Sequence, residues 1–104
     1  MYTKFDGKTD TLTASLREDK NDWSFQWEEK RGGFYLAYGG EEVIGMKINN
    51  FWETYCPPLM TNVGIWDEVK WFKSINLPEK FSRYIIEVVS ARLQIKKAEE
   101  RGLD

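Results

Sequence analysis

Asp6 and Asp10 flank Gly7-Lys8-Thr9, and two carboxylates on either side of a tight loop could ligate a hard cation if backbone carbonyls joined them. Aspartates in turns more often bond their own backbone, and that structural role is the favoured reading. Glu28-Glu29 and Glu41-Glu42 are adjacent acidic pairs on or beside alternating segments. Neighbours on a strand point to opposite faces, so neither pair makes a carboxylate dyad and both read as solvated edges. Cys56 is the single cysteine and the chain has no histidine. A nucleophilic thiol would need a lysine or carboxylate as its base and local positive charge, yet its neighbours are Tyr55 and Pro57, so a buried or half-buried bystander is expected. Gly32-Gly33 and Gly39-Gly40 lack a Gly-Lys-Ser/Thr ending and open no helix, which makes them hairpin glycines rather than a phosphate loop. No catalytic group, metal site or cofactor is expected.

Aromatic residues carry the remaining signal. Trp23, Phe25 and Trp27 alternate with polar residues and could stack unpaired bases on a sheet, but such sites also need a cationic groove. Asp22, Glu28 and Glu29 surround them, so packing against the helices is the expected role. Phe51, Trp52 and Tyr55 fall where no core period claims them, and Trp71 falls off its helix's core stripe. Tryptophan and tyrosine are enriched among interface anchors, so these four residues form the candidate partner-binding surface.

The elements that must position these side chains follow from periodicity. Thr11 to Arg17 alternates apolar with polar and puts Leu12, Ala14 and Leu16 on one strand face. Tyr2 to Phe5 can pair with it through Asp6-Gly7-Lys8-Thr9, where glycine would accept a positive φ. Beyond a polar loop from Glu18 to Asp22, Trp23 to Glu28 reads as a third strand. Phe34 to Tyr38 and Val43 to Ile48 follow, joined by glycine-bearing turns. Phe34, Leu36 and Tyr38 should share a face, as should Ile44, Met46 and Ile48. Pairing of successive strands would make an antiparallel meander of four to five strands over residues 1–50.

Residues 51–62 show no strand or helical period, and Pro57-Pro58 would hold a crossover loop extended. Thr61 or Asn62 can cap a helix with Ile65, Val69, Phe72 and Ile75 on one side, Trp66 at its edge and Trp71 off it. Asn76-Leu77-Pro78-Glu79 marks a second start, and Gly102 a stop, for a helix from about 78 to about 101. On that helix Phe81, Tyr84, Ile85, Ile86, Val88, Val89, Leu93 and Ile95 span an arc of roughly 200°, about twice what one core surface needs. Arg92 lies inside the arc and must reach water or a partner. The excess predicts a C2 homodimer through Ile86, Val89, Leu93 and Arg92. Lys96 with Glu100 is a possible i,i+4 pair on a solvated tail.

Composition sets the outer limits. The chain has 104 residues, 41% hydrophobic and 31% charged, with sixteen aromatics, which suits one α+β domain with two C-terminal helices packed on one face of the sheet. Residues 1–53 carry ten acids and seven bases, and residues 54–104 seven acids and eight bases. Neither half makes the basic field that nucleic-acid affinity draws on. No apolar run approaches a membrane span, and the start lacks the layout of a signal peptide. A cytoplasmic protein that does not bind membrane or nucleic acid is the expectation.

Asp6-x-x-x-Asp10-x-Leu12-x-Ala14-x-Leu16, then Gly33 through Phe51 with its Val43-Ile44-Gly45-Met46-Lys47-Ile48 core, resembles short bacterial and archaeal domains of unknown function. Their consensus runs roughly Tyr-Asp-x-x-x-Asp-x-Leu-x-Ile, then a strand, an acidic turn and Ile-Val-Gly-Ile-Glu-Ile. The resemblance covers residues 2–51. Phe5 stands where tyrosine is common, Gly39-Gly40 replaces the acidic turn, and Lys47 replaces glutamate. It implies a small sheet followed by a helix, some members being thought to neighbour toxin-like genes, and it brings no catalytic residue to transfer.

The functional expectation is a small non-enzymatic protein-binding module, an antitoxin-like or phage-type inhibitor that blocks another protein. The alternative is a small-ligand binder or enzyme using carboxylates and aromatics. Single-stranded nucleic-acid binding is least favoured.

Overall fold

The computed structural model describes residues 1–17 and 25–100, with the side chains of Asn62 and residues 96–100 outside the description. Trp23, the Glu18 to Asp22 loop, the proposed Lys96–Glu100 pair and the Gly102 stop therefore lie outside the described residues. The fold class is α+β: a five-strand antiparallel sheet followed by helices. The chain divides into two units, Met1–Tyr55 and Cys56–Asp104.

In the first unit, β1 (Tyr2–Asp6), β2 (Thr11–Ser15), β3 (Trp27–Arg31), β4 (Phe34–Gly39) and β5 (Glu42–Ile48) form one sheet in the order β1-β2-β5-β4-β3. The meander holds for β3, β4 and β5. It fails at β2, which pairs with β5 instead of β3, so the strand last in sequence is central. Leu12, Ala14, Phe34, Leu36, Met46 and Ile48 are buried on one face, as their alternation requires. Tyr38 and Ile44 depart from it. Ala37 pairs with Gly45 but Tyr38 pairs with Val43, leaving Ile44 as the extra residue of a bulge.

Turn chemistry accounts for the connections. Gly33 (φ 83°) and Gly40 (φ 68°) supply the left-handed backbone of the β3–β4 and β4–β5 hairpins. In the β1–β2 hairpin that conformation falls on Asp10 (φ 54°) and not on Gly7, a role that a short carboxylate side chain tolerates. Strand β3 begins at Trp27 and extends to Arg31, later than the aromatic alternation suggested.

Residues 51–59 are helical, contrary to the crossover-loop expectation: a π-helical turn spans Phe51–Tyr55 and α1 spans Cys56–Leu59. The Asn50 carbonyl accepts from the backbone N–H of both Thr54 (2.9 Å) and Tyr55 (3.0 Å). Pro57 and Pro58 fit α1 because the first N–H groups of a helix have no intrahelical partner to lose.

In the second unit, α2 (Asn62–Ser74) and α3 (Glu79–Glu100) are the two expected helices. Thr61 caps α2, its hydroxyl accepting from Gly64 N–H at 3.0 Å, and that hydroxyl also donates to the Pro58 carbonyl at 2.9 Å. A side chain at Gly64 would run into that same carbonyl, so glycine is what lets α1 approach α2. Phe81, Ile85 and Val89 make the fully buried stripe of α3, at the i, i+4, i+8 spacing of one helix face.

Candidate functional site

Two features of the first unit could carry function, and Asp10 organises the first. Its carboxylate accepts the backbone N–H of Trp52 through Oδ1 (3.0 Å) and of Glu53 through Oδ2 (3.0 Å). Its carbonyl accepts from Phe51 N–H at 2.8 Å. The hairpin turn thus caps the π-helical turn from a distance, satisfying donors that a helix start leaves open. Asp6 accepts from Lys8 N–H at 2.9 Å, the local turn bond expected of it, whereas the Asp10 carboxylate bonds distant amides and not its own turn.

Asp10 also places the aromatic residues that follow it. Phe51 stacks on Tyr55 (5.7 Å between ring centres) and meets Trp52 edge-on (4.8 Å), while Tyr55 leans on Phe34 (5.9 Å). Phe51 is 0% exposed, which removes it from the partner-binding set: its ring fills the core. Tyr55 is half-buried in the same cluster. Trp52 is 36% exposed and meets Phe5, 45% exposed, edge-on at 6.4 Å. Of the three residues proposed from this segment, Trp52 is the one that reaches the surface, and Phe5 accompanies it.

On α2 the two tryptophans exchange the expected roles. Trp71 is half-buried and tilted against Phe72 at 6.1 Å, whereas Trp66 and Val63 are each 69% exposed. The buried Glu68 shares in the same rotation of the helix. A wheel drawn through apolar residues alone centres the inward stripe on Phe72 and Ile65. Burial of Glu68 turns that centre by a few tens of degrees toward Trp71 and away from Trp66.

The α3 arc is a single buried stripe with half-buried flanks. Val89 is 0% exposed inside the protomer, so it is not part of a surface available to a second copy. Ile86 and Leu93 are half-buried, and Arg92 is exposed, as snorkelling requires. Cys56 is 1% exposed, so the expected burial of its thiol holds. No helix among the described residues is long and apolar enough to cross a membrane.

The second feature is the polar face of the sheet. Strand register aligns Lys4, Thr13, Lys47, Tyr35 and Glu29 in one row across all five strands. The adjacent row runs Tyr2, Ser15, Gly45, Ala37 and Trp27. Trp27 and Phe25 pack over Gly45, where an added Cβ would lie 3.2 Å and 3.3 Å from their rings. These aromatics therefore sit on the face opposite Leu36 and Met46, not in the core that was expected to hold them. Trp27 pairs with Ala37, and Ala37 with Gly45, so register alone dictates that side. The Lys47 ammonium lies between two rings, 5.0 Å from the centre of Trp27 and 4.8 Å from that of Tyr35. Glu29 accepts a hydrogen bond from the Tyr35 hydroxyl and holds its pKa above the ordinary value. Beside the row, an open cavity of about 530 Å³ is lined by Lys4, Asp6, Thr9, Thr11, Thr13, Lys47, Asn49 and Asn50.

The row escaped sequence reading because it depends on β2 lying beside β5. The signal present in the sequence was the strict alternation of Thr11 and Thr13 with Leu12 and Ala14, which marks the polar face but not its neighbours. No family model, curated protein or solved structure matches the chain, so the likeness of residues 2–51 to the short prokaryotic domains rests on its motifs alone.

Proposed function

We propose that the chain is a small non-enzymatic binding module that acts by occupying the surface of another protein, in the manner of an antitoxin or a phage-type inhibitor. The supporting observation is Trp66, 69% exposed one helical turn from the equally exposed Val63. Two apolar side chains at i and i+3 stand on the same helix face, and a tryptophan that gives up this much water on docking is a typical hot-spot anchor. Asp67, Lys70 and Lys73 are exposed on α2 as well and supply the polar rim that surrounds such anchors. The Trp52–Phe5 pair is a second, smaller exposed aromatic surface on the first unit.

The test compares wild type with Trp66→Ala and Val63→Ala as immobilised baits, followed by titration of each retained protein in purified form. One partner whose affinity falls at least about tenfold with Trp66→Ala, at unchanged melting temperature, supports the reading. A drop in melting temperature, or conversion of a dimer to a monomer by the same substitution, rejects it.

A further inference from the structure

The backbone hydrogen bonds of the sheet fix which groups of β1 face outward. Leu16 N–H donates to the Ile44 carbonyl at 2.9 Å. Backbone groups alternate sides along a strand, so Leu12, Ala14 and Leu16 turn theirs to β5, and Thr11, Thr13 and Ser15 turn theirs to β1. Their partners there are Asp6, Lys4 and Tyr2. The N–H and C=O of Thr3 and Phe5 therefore point away from the sheet, and no hydrogen bond reaches them among the described residues.

The two edge strands differ in how they are guarded. Strand β3 is bulged between Glu29 and Arg31 and charged at Glu28, Glu29, Lys30 and Arg31, devices that discourage strand addition. Strand β1 pairs in unbroken register from Tyr2 to Asp6 and is exposed from Thr3 to Asp6. Its exposed Phe5 ring, beside Trp52, adds an apolar lip to that edge. Trp52 is held by the bond from its amide to Asp10, so the lip is formed before anything docks.

Side chains define what an added strand must carry. Thr3 and Phe5 share the face of their partners Ala14 and Leu12, whereas Lys4 stands on the opposite face with Asp6. Antiparallel addition through Thr3 and Phe5 makes Lys4 and the residue opposite it a non-hydrogen-bonded pair, the closer kind, with about 4.5 Å between Cα atoms. An acid at that position is attracted across the strands. Lys4 has an interaction of its own within the chain, and an ammonium has three donors, so the acid joins that contact without displacing it. Asp6, two residues along the same face, repels an acid placed one pair out of register. A second copy fits poorly, because the register that uses Thr3 and Phe5 of both chains sets Lys4 against Lys4.

We propose that β1 takes up an extended segment of another protein, antiparallel to it, with an acidic residue opposite Lys4 and apolar residues against Phe5 and Trp52. Main-chain bonds supply the affinity, and the alternating side chains supply the register. This docking mode rests on the binding-module reading for its protein partner, while its contacts lie on β1 and not at Trp66.

The probe is the capped peptide acetyl-Thr-Val-Glu-Val-Thr-amide, titrated into the full chain and followed by backbone amide shifts and hydrogen exchange, beside a form with lysine in place of its glutamate. Saturable downfield shifts and slowed exchange at the Thr3 and Phe5 amides are expected at millimolar peptide, with the glutamate peptide bound more tightly. Thr3→Pro removes an outward N–H that an edge strand can spare, and should weaken binding at least about tenfold at unchanged melting temperature. Lys4→Glu, which leaves the backbone untouched, should reverse the preference between the two peptides. Trp66→Ala should leave peptide binding unchanged. Its failure to weaken any protein partner would count against the α2 surface and leave the β1 edge standing. The proposal is overturned by shifts centred on β3 or α2, by binding that Thr3→Pro leaves intact, or by a preference that Lys4→Glu does not reverse. Protection of Thr3 and Phe5 that grows with protein concentration, without peptide, also overturns it and makes a second copy the occupant.

Discussion

Asp10 holds Trp52 in place: its carboxylate accepts the tryptophan's backbone N–H at 3.0 Å across forty-two positions of sequence. The second carboxylate oxygen takes the next amide, that of Glu53. A turn residue in left-handed backbone therefore acts as the N-cap of a helical segment in another part of the chain.

Asp10→Ala should destabilise the first unit by about 2 kcal/mol, since it removes a charged cap and places alanine at positive φ. Asp10→Asn should cost less, because asparagine tolerates that backbone and keeps one acceptor. Chemical denaturation gives the energies, and a shift of the assigned Trp52 indole N–H resonance in Asp10→Ala but not Asp10→Asn would locate the change at Trp52.

At the start of α2, Thr61→Ala is expected to cost about 1 kcal/mol and Thr61→Ser to cost little, as serine retains the capping oxygen. Gly64→Ala should cost more, about 1–3 kcal/mol, because the new methyl meets the Pro58 backbone and neither side can yield by rotating a side chain. Thermal melts of the three variants order them. Gly64→Ala as stable as wild type would contradict the close approach of α1 to α2.

How far these relationships could be read in advance depends on their range along the chain. Alternation at Thr11–Ser15 and Phe34–Tyr38 is local, and those strands stand where the sequence places them. The cap of Thr61 on α2 is local too. Asp10 reaching Trp52 is not: no nearest-neighbour pattern joins two loops that meet only after β2 lies beside β5. Residues 51–59 looked irregular for that reason, since their helical turns draw their cap from elsewhere. Trp66 and Trp71 were exchanged because apolar periodicity counts Glu68 as outward-facing, and it is buried. On the polar face, no local pattern relates Lys4 to Lys47, and only strand order brings them to one level.

On α3, Val89→Ala should cost about 1–3 kcal/mol as a buried truncation, while Arg92→Ala should stay within about 0.5 kcal/mol. A second copy is the proposed cover for the half-buried Ile86 and Leu93. Leu93→Glu should then convert a sedimenting dimer to a monomer with little change in melting temperature, and a wild-type monomer at high concentration removes that proposal.

Tyr35 provides a pH signature. The Glu29 carboxylate accepts a hydrogen bond from its hydroxyl and its charge opposes phenolate formation, so its pKa is raised above the ordinary 10.0. A raised folded-state pKa means the native chain holds the proton more tightly than the unfolded chain. The corresponding stability is fully present below pH 10 and is lost as pH rises through the folded value. Ring carbon shifts followed by NMR should show Tyr35 titrating above the ordinary tyrosine value, and Glu29→Gln should return it toward that value.

The strand order β1-β2-β5-β4-β3 has a kinetic consequence. The β1–β2 hairpin and the β3–β4–β5 meander each close through short turns, fast events on their own. Their union waits on one distant pairing, Leu12 with Ile48 and Ala14 with Met46, whose loop-closure entropy must be met before any contact offsets it. Docking of the two pieces is thus the natural rate-limiting step for the sheet. A truncation at Ala14 or Met46 should slow refolding, while one in the β3–β4 hairpin should mainly quicken unfolding. Lys4 and Lys47, which belong to different pieces, would come to one level of the sheet only after that barrier is crossed.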